Sequence, residues 1–244
     1  MGKKDYIFST QMSMFGKREI VGFGSTEFCI KEIDRNKAND IIVKNHYSHK
    51  FYNATYIHLG VFIENEIVGV LQFGYAMNPA SGGSVVKGTE LDQYLELNRM
   101  WLDDKAPRNS ESTAISYAIR FIRGKYKRVK WIQSFADERC GGFGIVYQAA
   151  NFEYYGEHTA TFWTLDGEVF HNSIKTSRIA GPRGYDLLND PKNKDRVTSD
   201  KLRQFRYIYW LDHSWKKNCQ LTQKPYLKHY AGGAILNVNT STAL

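Results

Sequence analysis

The spacing of apolar residues changes character along the chain, and each change predicts an element. Residues 26–33 alternate, with Phe28, Ile30 and Glu32 on one side and Cys29, Lys31 and Ile33 on the other, which predicts a strand. Asp34 then caps a helix expected over residues 35–47, where Ala38, Ile41, Ile42 and Asn45 share a face. Residues 56–63 and 66–73 are apolar and β-rich, and Glu64 and Asn65 between them supply a hairpin turn. A Gly/Ser/Pro-rich loop follows at 78–84, then a strand over 96–102. Asn109 or Ser110 caps a helix over 111–123, whose Ala114, Ile115, Ala118, Ile119 and Ile122 keep helical spacing. Gly124 and the basic run 125–130 close that helix. A strand over 131–137, a glycine turn at 141–144 and a helix through Ala150 come next. Residues 159–170 predict a hairpin turning at Asp166 and Gly167, and residues 205–211 one more strand. Residues 1–25 show no period and predict a loose arm. The order β-α-β-β-β-α-β-α-β-β mixes strands with helices, which predicts an α/β (α+β) fold with one mixed central sheet flanked by helices.

The strand over 131–137 breaks its own pattern. It carries Gln133 and Ser134 on opposite faces, where a core strand carries aliphatic side chains. Polar groups there are costly unless paired or used. The strand stops at Asp137 before a glycine-rich turn, the place where open α/β sheets carry chemistry. The strand over 96–102 is similar: Glu96 and Asn98 share a face, Arg99 points opposite, and a buried Arg needs a partner. Asp137 is the candidate for that role.

Composition narrows the class. With 244 residues and 42% hydrophobic content, the chain has material for one large domain with an appended lobe. It contains no apolar run long enough to span a bilayer, and its first residues lack the apolar core of a signal peptide. The expectation is a soluble, cytoplasmic protein without a membrane partner. Cys29, Cys140 and Cys219 form neither a disulfide framework nor a CxxC pair. The net charge of +8 is not evenly spread: residues 1–170 hold 20 basic and 20 acidic side chains, residues 171–230 hold 13 and 5. A localised basic excess is the footprint of a polyanion partner, here nucleic acid; the plain alternative is a solvated surface.

Each candidate motif has two readings. The glycines of 141–144 either present backbone N–H groups to an anion or only turn the chain. Ser110, Ser112 and Thr113 open a helix either as an ordinary N-cap, which needs only one of them, or as hydroxyls that hold an anion at Ser110 and Ser112, to which their surplus points. His46 and His49, at the end of the first helix, are a base, acid or metal ligand, or a favourable imidazole at a helix C-terminus. Arg203, Arg206, Tyr207, Tyr209, Trp210, Trp215, Lys216 and Lys217 interleave cations with rings. Those are the parts of a nucleic-acid surface, or else a core strand with solvated flanks.

Seven segments in order resemble one known family: 45–48 (NHYS), 56–62 (YIHLGVF), 70–74 (VLQFG), 96–102 (ELNRMWL), 107–112 (PRNSES), 131–137 (WIQSFAD) and 146–152 (VYQAANF). The series, spanning roughly residues 40–170, looks like the Mom family of bacteriophage DNA-modification proteins. The resemblance implies a fold like the GNAT acyltransferases. It implies a transferase that converts the N6 amine of adenine in DNA to N6-(carbamoylmethyl)adenine, shielding phage DNA from restriction in the cytoplasm of the infected bacterial host. On this reading residues 1–25 are an N-terminal arm, 26–170 a GNAT-like catalytic core, and 171–244 a basic C-terminal segment that contributes a strand and DNA contacts.

The resemblance also assigns roles. His46, Tyr47, Arg99, Ser112, Asp137 and Tyr147 match positions important in the family, with Tyr147 similar to the general-acid tyrosine of GNAT enzymes. Asp137 or His46 is the expected base, Arg99, Ser110 and Ser112 are expected to bind the donor, and Asn98, Gln133 and Ser134, counted in that set too, are expected to hydrogen-bond either the adenine edge or the donor. Arg203, Arg206, Tyr209, Trp210, Lys216 and Lys217 are the expected DNA contacts, with the target adenine flipped out. Iron is linked to the family, and His46, Tyr47 and Asp137 are the side chains that would hold it. GNAT enzymes hold the pyrophosphate of coenzyme A in a Gly-rich loop, whereas residues 103–112 here (DDKAPRNSES) contain two aspartates and no glycine. The resemblance implies acetyl-CoA or another CoA thioester as donor, whereas the missing glycines argue against coenzyme A and the chemistry of the product points to a glycyl donor such as glycyl-tRNA. Two other classes remain open: a non-catalytic DNA-binding accessory protein, and a GNAT-like transferase for a small molecule or peptide.

Overall fold

Strands whose two faces bury different clusters organise the chain around one large sheet. The computed structural model describes residues 4–140, 142–229 and 235–237. Its main strands are β1 (Tyr6–Phe8), β2 (Gly22–Gly24), β3 (Phe28–Glu32), β4 (Thr55–Ile63), β5 (Glu66–Gly74), β6 (Tyr94–Leu102), β7 (Trp131–Asp137), β8 (Glu153–Leu165), β9 (Glu168–His171) and β10 (Thr198–Trp210). They lie in the order β1-β2-β3-β4-β5-β6-β7-β10-β8-β9. Every described pairing in this sheet is antiparallel except β6 with β7. The helices are α1 (Arg35–Asn45), α2 (Ser110–Lys125), α3 (Ile145–Ala149), α4 (Asn172–Thr176) and α5 (Pro182–Asn189). The expected mixed sheet flanked by helices is therefore present.

The alternation along each strand divides the core. Leu71, Leu95 and Ile132 join Ala114, Ile115, Ala118 and Ile122 of α2 on one face. Val70 and Trp101 meet Ala38 and Ile42 of α1 on the other, and Trp131, Tyr94 and Trp210 fill a third cluster. The Asp34 carboxylate accepts from the N–H groups of Asn36 and Lys37, which is why α1 starts where the cap predicts. Both expected hairpin turns form, with Glu64, Asn65, Asp166 and Gly167 all at positive φ.

The structure departs from the sequence expectations at several places. Residues 4–25 are not a loose arm: β1 pairs with β2 and β2 with β3, extending the sheet, while residues 1–3 of the expected arm lie outside the described residues. These strands are too short to show a period. The first helix ends at Asn45, and His46 is its extended C-cap. The strand foreseen over 205–211 begins at Thr198 and inserts between β7 and β8, hydrogen-bonded to both. The basic segment is thus woven into the same sheet as the core. No helix among the described residues is long and apolar enough to cross a membrane. Gly141 of the glycine turn and residues 230–234 and 238–244 of the basic segment lie outside the described residues.

Candidate active site in the cleft between diverging strands

The site begins where the parallel ladder ends. β6 and β7 pair through Tyr94 with Trp131, Leu95 with Ile132 and Glu96 with Gln133, and no further. The next rung is made by a side chain: buried Ser134 donates its hydroxyl to Leu97 O at 3.2 Å. Beyond it the strands part. β6 is also irregular on its other side, because Gln72 faces Arg99 while Phe73 faces Leu97, leaving Asn98 as an extra residue. A bulge changes which way successive side chains point. Glu96, Asn98 and Arg99 accordingly line one cavity together, which corrects the expectation that Arg99 faces away from the other two.

Two cavities open into the gap, of about 320 Å³ and about 340 Å³. They share Tyr47, Leu97, Asn98, Arg99, Phe135 and Asp137, so they are two ends of one cleft. The first adds His46 and Tyr147; the second adds Glu96, Gln133, Arg139 and Arg206. Arg99 donates to Lys50 O and Asn98 O rather than to Asp137. Asp137 is paired instead with Arg139, whose guanidinium binds both carboxylate oxygens. Arg139 also lies over the Phe162 ring at 4.0 Å from its centroid. Its proximity in sequence was the one clue to that pair, and the sequence reading missed it.

The protonation of His46 follows from its neighbours. Burial, and then the positive charges of Arg99, His49 and Arg139, lower its pKa to about 4, so the ring is neutral near pH 7. Its Nδ1 accepts the backbone N–H of Ser48 at 3.2 Å. The proton of the neutral ring is therefore on Nε2, and His46 offers the cleft a donor rather than a base.

The second cavity holds a chain of fixed polarity. Arg206 crosses from β10 and donates to Gln133 Oε1 at 2.7 Å. The Gln133 amide then donates to Glu96 Oε2 at 2.8 Å, and Asn98 Nδ2 donates to Glu96 Oε1 at 3.1 Å. Burial raises the Glu96 pKa to about 7, against the opposing pull of hydrogen bonds from Gln133 and Asn98 and of the Arg206 and Arg99 charges. Glu96 was visible in the sequence as a polar break in an apolar strand, but not as part of the site.

Ser110 and Ser112 do not join this cleft. Ser112 lines a separate cavity of about 440 Å³ at the start of α2, next to Asp103, Asp104, Glu111 and Arg108. Ile145 and Val146 form a wall of both this cavity and the first one, so the two are neighbours. The Ser112 hydroxyl is spent on Asn109 O. Three carboxylates against one guanidinium oppose a diphosphate, so the residues present do not fit the pyrophosphate of coenzyme A. Nor do they fit iron. The Asp137 oxygens are held by Arg139 and His46 Nδ1 by Ser48, and the described residues contain no cluster of three or more His, Cys, Asp or Glu.

The C-terminal candidates separate by burial. Trp210 is 2% exposed and its Nε1 donates to Glu153 and Tyr155. Tyr209 packs on Phe152 across the other face. Arg203 is bound to Glu138 and Lys216 to Glu153, while Lys217 is exposed. Arg206 belongs to the cleft itself.

A family model described as the Mom protein family matches residues 27–228. The methylcarbamoylase Mom of Escherichia phage Mu is 47% identical over 230 residues, covering 93% of this chain and 94% of that protein. Among solved structures, the apo ribosomal L7/L12 alpha-N-protein acetyltransferase RimL superposes with a TM-score of 0.44 at 14% identity, over 77% of this chain and 96% of its own. The ribosomal-protein-S5-alanine acetyltransferase of Vibrio fischeri gives 0.46 at 12% identity, over 80% and 98%.

Proposed function

The chain belongs to the Mom protein family, and from that premise we propose that it is the transferase that converts the N6 amine of adenine in DNA to N6-(carbamoylmethyl)adenine. The observation that carries this reading is the relative named a methylcarbamoylase, 47% identical over nearly the whole chain. The cleft supports it, since a planar base has room beside a group of donors and the two carboxyl groups of Asp137 and Glu96.

The adenine amine is a poor nucleophile because its lone pair is delocalised into the ring. It attacks an activated carbonyl as Asp137 accepts the proton that nitrogen must lose. Arg139 orients that carboxylate. The neutral His46 Nε2–H and the remaining N–H groups of Arg99 face the carbonyl oxygen as it gains charge. Tyr147, across the same cavity, returns a proton to the leaving group. The target atom is inaccessible in a duplex, so the base is flipped out or met single-stranded. The basic excess of residues 171–230 and exposed cations such as Lys217 attract the strand.

The donor on this reading is glycine activated as an ester or thioester, of which glycyl-tRNA is one form. Transfer forms the bond from N6 to the glycyl carbonyl and releases the carrier alcohol or thiol with the proton. The free glycyl amine then attacks C6, closing a five-membered ring, and C6–N6 breaks. The old N6 leaves as the amide nitrogen and the glycine nitrogen stays on C6, which is N6-(carbamoylmethyl)adenine with every atom accounted for. The acidic cavity at α2 suits a donor without a pyrophosphate.

Mass spectrometry of nucleosides from bacterial DNA, with and without expression of the chain, tests the function. The modified adenosine is expected only with the chain, and unmodified adenine alongside soluble, folded protein refutes the reading. Feeding ¹⁵N-glycine tests the donor. The label is expected on the nitrogen bonded to C6; label absent from the modified base refutes a glycyl donor.

A further inference from the structure

The proposed function leaves open what in the cleft recognises the base. The polarity chain of the second cavity answers it. An Arg guanidinium only donates, so Arg206 fixes the oxygen of the Gln133 amide toward itself. The Gln133 nitrogen must then face Glu96, whose other oxygen takes the Asn98 nitrogen. That nitrogen also donates to Tyr75 O at 3.1 Å. Turning the Asn98 amide over would set its oxygen against both a carbonyl and a carboxylate. Its orientation is therefore locked.

The consequence is an acceptor with nothing to accept. Asn98 Oδ1 is buried and has no hydrogen-bond partner among the described residues. Asn98 lines both cavities, at the point where they join. The other such atom, Gln72 Oε1, belongs to a residue that lines neither. A buried acceptor left unsatisfied is costly, and a ligand that brings an N–H removes that cost.

We propose that Asn98 reads the acceptor base, its Oδ1 accepting one N–H of the exocyclic amine that is to be modified. Asparagine is a fitting reader of that edge, since the amino group of adenine is a donor where hypoxanthine carries an acceptor oxygen. Holding one in-plane N–H also fixes the plane of the base, so that the face of the amine nitrogen is turned to the donor carbonyl. Asn98 is thus a specificity-determining residue, and Glu96, Gln133 and Arg206 are positioning residues that act through it. The inference rests on the nucleic-acid reading above.

The test is a binding measurement on the full chain with two single-stranded oligonucleotides of one mixed sequence, carrying either adenine or hypoxanthine at every A position. Phosphate contacts are common to both, so the ratio of Kd values reports the base edge. Wild type is expected to prefer adenine by about 10-fold. Asn98→Ala is expected to bind both equally. Glu96→Gln, which places an amide N–H₂ against Asn98 or Gln133, is expected to reduce the preference while melting cooperatively as a folded protein. A wild type that binds neither oligonucleotide overturns this assignment and the nucleic-acid reading together. Binding without preference, or a preference that survives in folded Asn98→Ala, overturns the assignment alone.

Discussion

Glu96 gives the sharpest quantitative prediction. Its carboxyl sits at the floor of the cleft and titrates at about 7 in the folded protein, against 4.5 as a free side chain. Burial is the cause, and the donors Gln133 and Asn98 and the facing cations Arg206 and Arg99 offset only part of it. A raised folded pKa means the folded state holds the proton more tightly. The stabilisation is full below pH 4.5 and is lost as pH rises through about 7. A shift of this size amounts to roughly 3 kcal/mol in all, of which ~2.5 kcal/mol is lost between about pH 5 and pH 8. Glu96→Gln keeps the shape and cannot titrate, so subtracting its stability from that of wild type cancels the other groups. Urea unfolding at a series of pH values is the assay. Wild type is expected to fall relative to Glu96→Gln by about 2.5 kcal/mol across that window. Parallel curves would show that Glu96 is not desolvated and would refute the reasoning.

Other expectations follow from the same contacts. His46 has a lowered pKa, so the unfolded chain binds its proton more tightly and stability falls as pH drops from 6.5 toward about 4. His46→Gln is expected to flatten that acid slope, and ¹⁵N NMR near pH 7 to show the proton on Nε2. Asp137→Asn is expected to lower the yield of modified adenosine per folded enzyme by about 100-fold or more, read by nucleoside mass spectrometry, with circular dichroism unchanged. Ser134→Ala leaves Leu97 O unpaired at the mouth of the split and is expected to cost ~1–2 kcal/mol in urea unfolding. Trp210→Ala empties a site between Trp131 and Tyr155 and is expected to cost ~3–5 kcal/mol. A solvated Trp210 would instead give a change near zero.

Several features are legible in the sequence alone. Helix α2 followed from its apolar spacing and the α1 start from Asp34, because caps and periodicity are local. Both hairpin turns followed from residues that tolerate positive φ. The polar positions Gln133, Ser134, Asp137, Glu96, Asn98 and Arg99 stood out because apolar strands do not carry such groups idly, and all but Ser134, which makes the rung where the strands part, line the cleft. The seven ordered segments pointed to the family that the comparisons show.

What the chain could not reveal alone is how those groups pair. The expected partnership of Arg99 with Asp137 failed because the bulge at Asn98 turns Arg99 toward Lys50 O, while Arg139 reaches Asp137 from only two residues away. Arg206 looked like a surface cation until β10 was placed beside β7, bringing it 73 positions back to Gln133. Trp210 looked like a stacking platform until the same strand buried it. Local sequence sets caps, turns and periods because those depend on neighbours in the chain. Strand order and the point at which a ladder splits depend on contacts between distant segments, and those decide which polar groups meet, which are neutralised, and which one in the cleft, Asn98 Oδ1, is left without a partner among the described residues.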